Sequence, residues 1–322
     1  MQCGVCLRET ACTQRETYRE FSLWECAQCS GQFWNPMTNP GAAWYEKDER
    51  YSDRNAAPLR RPVHTHRAFL DENPAPGGRV LDVGMGTGNF LSAAKQKGYE
   101  VWGIDFDRDA IAVAREQFGL EHVHVASLEQ LREQFPDKQF NAITLFEVLE
   151  HVESPSALMQ SIHSALADGG YVAISVPYRR GSRLLMPADL PPRHLTRWNR
   201  AAMRNLLEQH GFEVVRFRCF AASLTYVVTK FHFWTRGYLS FGLVNKLKRR
   251  TMASSTTGAA APQSAGATSV RPARSVSALF ILAKTKDYVL FTIPALVLMA
   301  YLAMRGELRI SLYALARKKS TV

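Results

Sequence analysis

Acidic residues are nearly absent from the last third of this 322-residue chain: from Phe220 onward there are 15 Lys and Arg against 2 Asp and Glu. The preceding residues hold 25 basic and 27 acidic side chains, so the formal charge of +11 belongs to the end of the chain and not to its average. A mildly acidic body with a basic, apolar tail points to a membrane surface more than to nucleic acid, whose footprint would place the basic charge around the functional cleft. The opening MQCGVCLRET lacks an apolar core of signal-peptide length, so export is not expected. Long apolar runs are scarce as well. Tyr288–Met304 is 17 residues without a charge, at the short limit for a spanning helix, and it carries Pro294 near its middle. Cations flank it on both sides, so they orient it only weakly. Spanning, re-entering on one face and lying in the interface are all open to it, as is burial or partner binding.

Cysteine is limited to 6 residues. Four of them fall as Cys3-x2-Cys6 and Cys26-x2-Cys29, with 19 residues between the pairs. Two tight knuckles of this spacing offer four thiolates to a tetrahedral ion, and four protein ligands leave no open position, so structural zinc is expected. A pair of disulfides would need an oxidising compartment that nothing else in the chain supports. Cys12 and Cys219 lie outside the pattern and read as ordinary thiols.

A third absence is chemical. VLDVGMGTGNF (Val80–Phe90) is a strand-like run ending in Asp82, then a turn with Gly84, Gly86 and Gly88, then a helical pattern. A second strand, VWGIDFD, ends in Asp105. This β-loop-α-β unit forms a nucleoside crevice at the carboxyl ends of parallel strands, but Asn89 stands where a dinucleotide fingerprint has its third glycine. Asp82 would repel the pyrophosphate that such loops normally receive. It suits a cationic group, and Asp105 is placed for a ribose. S-adenosylmethionine has that character: an ammonium, a sulfonium, a ribose and no phosphate.

Along the chain, Pro62–Asn73 reads as a helix and Pro74–Gly78 as a break. Strands are expected at Val80–Val83, Val101–Asp105, His122–Ala126, Phe140–Phe146, Tyr171–Val176 and Glu213–Phe220. Helices are expected at Phe90–Lys97, Ala110–Phe118, Ser156–Leu166 and Asn199–His210. Such alternation means a doubly wound α/β sheet. Ser277–Lys284 (SALFILAK) is read as a closing antiparallel strand beside Glu213–Phe220. Between these two strands lie an aromatic stretch, Ser223–Leu247, and Thr251–Ser275, whose Ala, Ser, Thr, Gly and Pro cannot bury a core.

Taken together, VLDVGMGTGNF, VWGIDFD, FEVLEHVESP (Phe146–Pro155) and GGYVAISVPYR (Gly169–Arg179) resemble the class I S-adenosylmethionine-dependent methyltransferases, in particular the group with ubiquinone-biosynthesis O-methyltransferases. The resemblance covers about 76–284 and implies a Rossmann-like seven-stranded sheet of order 3-2-1-4-5-7-6. It implies cofactor contacts at Asp82, Gly84, Gly86, Gly88, Asp105, Phe106, Ser127, Leu128 and Phe146. Ser127 stands where an acid commonly meets the adenine amino group, and Leu128 offers a backbone amide to the ring. Met85 occupies a loop position that is more often small. The implied organisation is a zinc ribbon (1–35), linker and lid helices (36–75), a methyltransferase domain (76–286, with 221–276 inserted) and a membrane-associated tail (287–322). On this reading a chain ending near Lys286 keeps cofactor binding and gains solubility.

Methyl transfer to a phenol or alcohol requires a base. Glu147, Glu150 and His151 after the fourth strand and His194 in PPRHLTRW are the candidates. Glu147, Glu150 and His151 would alternatively hold a divalent ion that acidifies the acceptor. Glu150 and His151 also fit a bracing role at the next helix. Tyr45 and Tyr51 belong to a segment that in similar proteins covers the methionine end, or else packs the ribbon on the domain. Trp198 reads as an anchor for its helix, and Arg179 is placed to meet an anionic acceptor. The expected function is O-methylation of a small-molecule, glycan or lipid-linked acceptor at the inner face of the cytoplasmic membrane. An RNA base methyltransferase is the alternative within the enzyme class. It would often carry Asn/Asp-Pro-Pro-Tyr/Phe where this chain has Phe146-Glu147-Val148-Leu149. A non-catalytic membrane-tethered adaptor is the alternative outside it.

Overall fold

The computed structural model describes residues 1–41, 44, 55–56, 61–178, 189–228 and 290–320. The chain divides into two units, one of Met1–Phe220 with Arg309–Val322 and one of Ala221–Leu308.

In the first unit, β4 (Arg79–Val83), β5 (Glu100–Asp105), β6 (Val123–Val125), β7 (Phe140–Phe146), β8 (Leu166–Pro177), β10 (Phe212–Ala221) and β11 (Arg309–Lys318) form one sheet, ordered β6-β5-β4-β7-β8-β11-β10. This is the expected order 3-2-1-4-5-7-6. β4 is parallel to β5 and β7, and β11 is antiparallel to β8. Successive side chains of a strand point to opposite faces, which lets helices cover both. Val80, Val101 and Ala142 pack with α1 (His64–Glu72), α2 (Asn89–Gln96) and α3 (Arg108–Phe118). Leu81, Ile104 and Ile143 pack with α4 (Leu128–Gln134), α5 (Pro155–Ala165) and α6 (Arg200–Gln209). The strand order reverses between β4 and β7, so the crevice of this doubly wound sheet opens at their carboxyl ends.

The identity of the closing strand differs from the sequence reading. Arg309–Lys318 lies between β8 and β10, whereas Ser277–Lys284, the segment expected there, lies outside the described residues. A strand covered on both faces needs a continuous apolar run, and Leu312 to Ala316 are all buried. The cations that made this stretch look like tail sit at the strand's far end and are used there: Arg317 Nε donates to Gly169 O (3.1 Å) and Lys318 Nζ to Leu166 O (2.9 Å). Residues 287–322 are therefore not a detachable tail, and a chain cut near Lys286 loses an interior strand.

The N-terminal segment forms a second sheet of β1 (Cys12–Tyr18), β2 (Phe21–Cys26) and β3 (Gln32–Asn35). It gains a fourth strand, β9 (Thr196–Arg197), from the larger domain. Trp198 is fully buried and its indole N–H donates to Thr196 Oγ1 (2.9 Å), so it is the anchor that the sequence implied.

In the second unit, residues 290–304 are helical. The helix ends at Gly306 (φ +67°), with Glu307 N donating to Leu302 O (2.8 Å) and Gly306 N to Ala303 O (3.0 Å), the pattern of a Schellman cap. Leu290, Ile293, Val297 and Met304 are exposed along one side, Ile293 at 73% and Met304 at 81%, while Ala295 and Leu302 on the opposite side are buried. Among the described residues no helix is long and apolar enough to cross a membrane. Ala222 N donates to Leu308 O (2.9 Å), so the two ends of this unit meet.

Candidate active site

The glycine loop joins β4 to α2. Gly84, Gly86 and Gly88 all have positive φ (+72°, +54° and +82°). At Gly84 a Cβ would meet Val148 Cγ2 at 2.5 Å, and at Gly88 it would meet Leu120 Cδ1 at 2.5 Å, so backbone conformation and space both demand glycine. Met85 sends its side chain into the core beneath Gly88 and Gly103 and leaves only backbone at the loop surface. This explains how a large residue is accommodated there.

Two carboxylates flank the loop. Asp105, at the end of β5, accepts from Gly86 N at Oδ2 (2.8 Å) and from Asp107 N at Oδ1 (2.9 Å). An amide that would otherwise face a phosphate is thus already satisfied by an anion, which disfavours a pyrophosphate. Asp82 is 3% exposed and accepts from Thr144 Oγ1 (2.6 Å). Burial raises its carboxyl to about 8; the Thr144 hydroxyl opposes the shift and the nearby Asp105 charge adds to it. A carboxylate so poorly solvated gains most from a cation. Phe106, next to Asp105, leaves its ring 65% exposed.

Ser127 is tied up by its own helix. Its Oγ accepts from Gln130 N (3.2 Å) and its N–H donates to Gln130 Oε1 (2.8 Å), a capping box that starts α4. The Leu128 side chain is buried beneath it. Phe146, at the end of β7, joins an aromatic cluster that sequence reasoning missed. The His66 ring of α1 lies tilted against those of Phe146 and Phe90, with ring centres 4.6 and 5.4 Å away. Burial lowers His66 to about 4, so it is neutral, and its Nδ1 lies 3.2 Å from Asn89 Oδ1. No local motif marks His66; only the packing of α1 brings it to the crevice.

On the other side of β7, Glu147 has a left-handed backbone (φ +59°), uncommon for a non-glycine residue and a frequent mark of a functional position. Its N–H donates to Ser175 O (2.9 Å), and Ser175 Oγ donates to its Oε1 (3.0 Å). His151 Nδ1 lies 2.7 Å from Arg193 O. A carbonyl only accepts, so Nδ1 carries the proton. Burial holds His151 below the usual histidine range, which leaves Nε2 unprotonated in the neutral ring. His194 meets it edge-on, ring centres 4.7 Å apart, and its Nδ1 is 3.7 Å from Asp189 Oδ1. Among the described residues on this side of the crevice, Glu150, His151 and His194 bring their ligand atoms within 4.8 Å of one another. His194 thus stands in the place that the sequence reading gave to Glu147. Arg179, Tyr45 and Tyr51 lie outside the described residues. Trp44 and Asn55, described residues of the same linker, reach opposite sides of the crevice: the Arg193 guanidinium lies over the Trp44 ring (5.6 Å), and Asn55 Nδ2 donates to Asp107 Oδ2 (2.9 Å).

Cys3, Cys6, Cys26 and Cys29 are all buried, with their sulfurs within 4.8 Å of one another. Cys3–Cys29 and Cys6–Cys26 are 3.7 and 4.0 Å apart, close to the roughly 3.8 Å edge of a tetrahedron with Zn–S bonds of about 2.3 Å. They are far from disulfide length. Hydrogen bonding from Cys29 leads the lowering of Cys3 to about 5, while burial leads the rise of Cys6 to about 11. Four sulfurs packed this closely need a cation before all can ionise.

Residues 53–216, half of the chain, match a family model described as a methyltransferase domain. The chain is similar to the ubiquinone biosynthesis O-methyltransferase of Pseudomonas aeruginosa (strain LESB58), 32% identical over 137 residues, which is 41% of this chain and 56% of that protein. It is 35% identical over 115 residues to the enzyme of the same description from Aeromonas salmonicida (strain A449), 34% of this chain and 48% of the relative. The chain therefore spans about half the length of the curated relatives it matches. Among solved structures, the cyclase SpnF superposes with a TM-score of 0.52 at 16% identity, over 87% of this chain and 96% of that one. That likeness concerns the fold alone.

Proposed function

Because this chain belongs to the class I S-adenosylmethionine-dependent methyltransferases, we propose that it transfers a methyl group to an oxygen of a small-molecule, glycan or lipid-linked acceptor at the cytoplasmic face of a membrane. The observation that carries the cofactor assignment is the glycine loop closed by Asp105 and backed by buried Asp82. S-adenosylmethionine, when bound, supplies an electrophilic methyl on a sulfonium.

The chain's own residues divide the remaining work. Asp82 provides negative charge for the ammonium end, and Asp105 accepts from the ribose hydroxyls. Gly84, Gly86 and Gly88 let the backbone approach closely. Phe106 offers a ring face to the adenine, with Leu128 N as its hydrogen-bond donor. Ser127 starts α4 and keeps a second lone pair on Oγ to accept from the adenine amino group. Phe146, Phe90 and His66 make an apolar wall that excludes water. His151, with Nδ1 held by Arg193 O, presents Nε2 as the base for the acceptor hydroxyl. His194 and Glu147 border the same side. Glu150, His151 and His194 would fit a divalent ion that lowers the acceptor's pKa. The four cysteines would hold a structural zinc.

The membrane part of the reading is supported by the exposed apolar side of helix 290–304 and by the basic surplus that follows Phe220. Such a helix binds in the interface plane. The ubiquinone-biosynthesis relatives favour a phenolic acceptor oxygen. The deciding experiment incubates the protein with cofactor labelled in its methyl group and with extract separated into lipid, RNA and soluble metabolites. Label in the lipid or metabolite fraction is expected; label in RNA would overturn the acceptor class. Calorimetry without binding of S-adenosylmethionine would make the chain an adaptor.

A further inference from the structure

The ribbon is joined to the acceptor side of the crevice by main-chain hydrogen bonds. β3 and β9 pair antiparallel, Gln32 opposite Arg197 and Phe33 opposite Thr196, and Trp34 N donates to Leu195 O (2.9 Å). The segment carrying Arg193 and His194 is therefore an added edge of the ribbon sheet. Its other side is bonded to the turn after β7: Leu195 N donates to Glu150 O (2.7 Å), and Arg193 O fixes the His151 ring. The residues leaving the ribbon grip that same turn. Asn39 Nδ2 donates to His151 O (2.9 Å) and Asn39 N to Glu153 Oε1 (2.6 Å).

Side chains lock this arrangement. Arg197, only 7% exposed, makes a two-pronged pair with Glu16 of β1 (2.8 and 3.1 Å) and lies over the Trp34 ring (5.1 Å). A paired guanidinium fork of this kind fixes direction as well as distance. The metal knuckles are tied in too. Asn205 and Gln209 of α6 donate to the carbonyls of Cys29 and Cys6 (3.1 Å each). The loop on the cofactor side is shaped differently, by Ile104 O, which accepts from Gly84 N (2.9 Å) and Met85 N (3.1 Å), and by Asp105.

We propose that the N-terminal ribbon is a positioning element for the acceptor side: Asn39 and the β3–β9 pairing set the orientation of His151 and His194, and metal in the four-cysteine site keeps them set. The proposal rests on the assignment of these two histidines to the acceptor side. Asn39, Arg197 and Glu16 are thus positioning residues, acting through the histidines and not on substrate.

The test uses the full zinc-loaded chain with 15N-labelled histidine, whose long-range side-chain spectra report imidazole tautomer without any acceptor. His151→Gln identifies the His151 signal. In Asn39→Ala, in Arg197→Ala and after chelation of the zinc, the His151 signal is expected to leave the fixed Nδ1–H pattern and the His194 signal to shift. Arg197→Lys should restore part of the wild-type spectrum. Cofactor affinity by calorimetry should stay within about twofold, as for sites without shared partners. Histidine spectra identical to wild type in both alanine variants and after chelation would overturn the proposal. So would loss of cofactor affinity in parallel with the spectral change, because the ribbon would then be supporting the whole fold. If Asn39→Ala does not fold, Asn39→Ser and the chelated protein supply the same readouts. A wild-type chain that binds no S-adenosylmethionine would refute the methyltransferase reading, while the spectra would still decide the positioning claim.

Discussion

Burial raises the Asp82 carboxyl from 3.8 to about 8, and this shift has a defined sign. A group that holds its proton more tightly in the folded than in the unfolded state contributes less to stability as pH rises between the two values. Without ligand, this contribution falls between about pH 4 and pH 8, while His66, lowered to about 4, contributes the opposite slope up to about pH 6.5. Asp82→Asn should therefore remove the fall in melting temperature seen between about pH 6.5 and pH 8. A cationic ligand needs the ionised carboxylate, so binding must release a proton below about pH 8. S-adenosylmethionine affinity should rise by up to about tenfold per pH unit and then level off. Calorimetry in buffers of different ionisation enthalpy measures the proton directly. In Asp82→Asn, affinity should be lower above pH 8 and flat with pH; a slope as steep as wild type would mean that another group titrates. At this scale the sequence was most legible where backbone demands are absolute. The three loop glycines have the turn conformation, and the two acids the strand positions, that the sequence implies, because turn geometry and strand direction are local. His66 and Asn39 were invisible, since only packing between distant segments gives them neighbours. Ser127 carried a cofactor role by analogy, and the structure adds a second, local role: its Oγ and N–H cap its own helix.

The strand β11 shows why elements of similar composition are hard to rank. SALFILAK and ISLYALA are both short, apolar and β-capable, and periodicity alone does not separate them. The sheet selects Arg309–Lys318, whose last turn of connection is the Schellman cap at Gly306. Its cost of removal is large. Leu312, Tyr313 and Leu315 are buried, each contributing about 1.5–3 kcal/mol by area, against a total stability of about 5–15 kcal/mol for a domain. A chain ending at Gly306 should therefore fail to fold and lose cofactor binding, seen as absent cooperative melting by circular dichroism. Replacing residues 224–304 with a short Gly/Ser linker is expected to do the reverse. The Ala222–Leu308 hydrogen bond holds the two ends together, so the sheet should close and cofactor binding should persist. A linker variant that loses cofactor binding would show that the second unit is needed for the fold. β9, at two residues, is below the length at which any pattern is readable, and it is the element on which the positioning proposal depends.

Over the whole molecule, charge and apolar surface are concentrated in the same part of the chain. The 15 basic and 2 acidic residues after Phe220 accompany a helix with an exposed apolar side. On the proposed membrane reading, attraction to anionic lipid would add to apolar insertion, and salt would weaken only the first. Flotation with vesicles should recover the full chain on phosphatidylglycerol-containing membranes, less on neutral ones and less at high salt. Ile293→Asp with Met304→Asp should abolish recovery while cofactor affinity stays the same. Equal recovery of that double variant would place the binding elsewhere. The sequence by itself determined the alternating α/β order, the cofactor loop, the four-cysteine pattern and the charge asymmetry, because each depends on residues near one another in the chain. Only the tertiary structure decided which apolar run closes the sheet, that His194 joins Glu150 and His151, and that the ribbon borrows a strand beside those histidines. These outcomes depend on pairings between segments far apart in the chain, such as Asn39 with His151 and Arg197 with Glu16, and nothing local to either partner specifies the other.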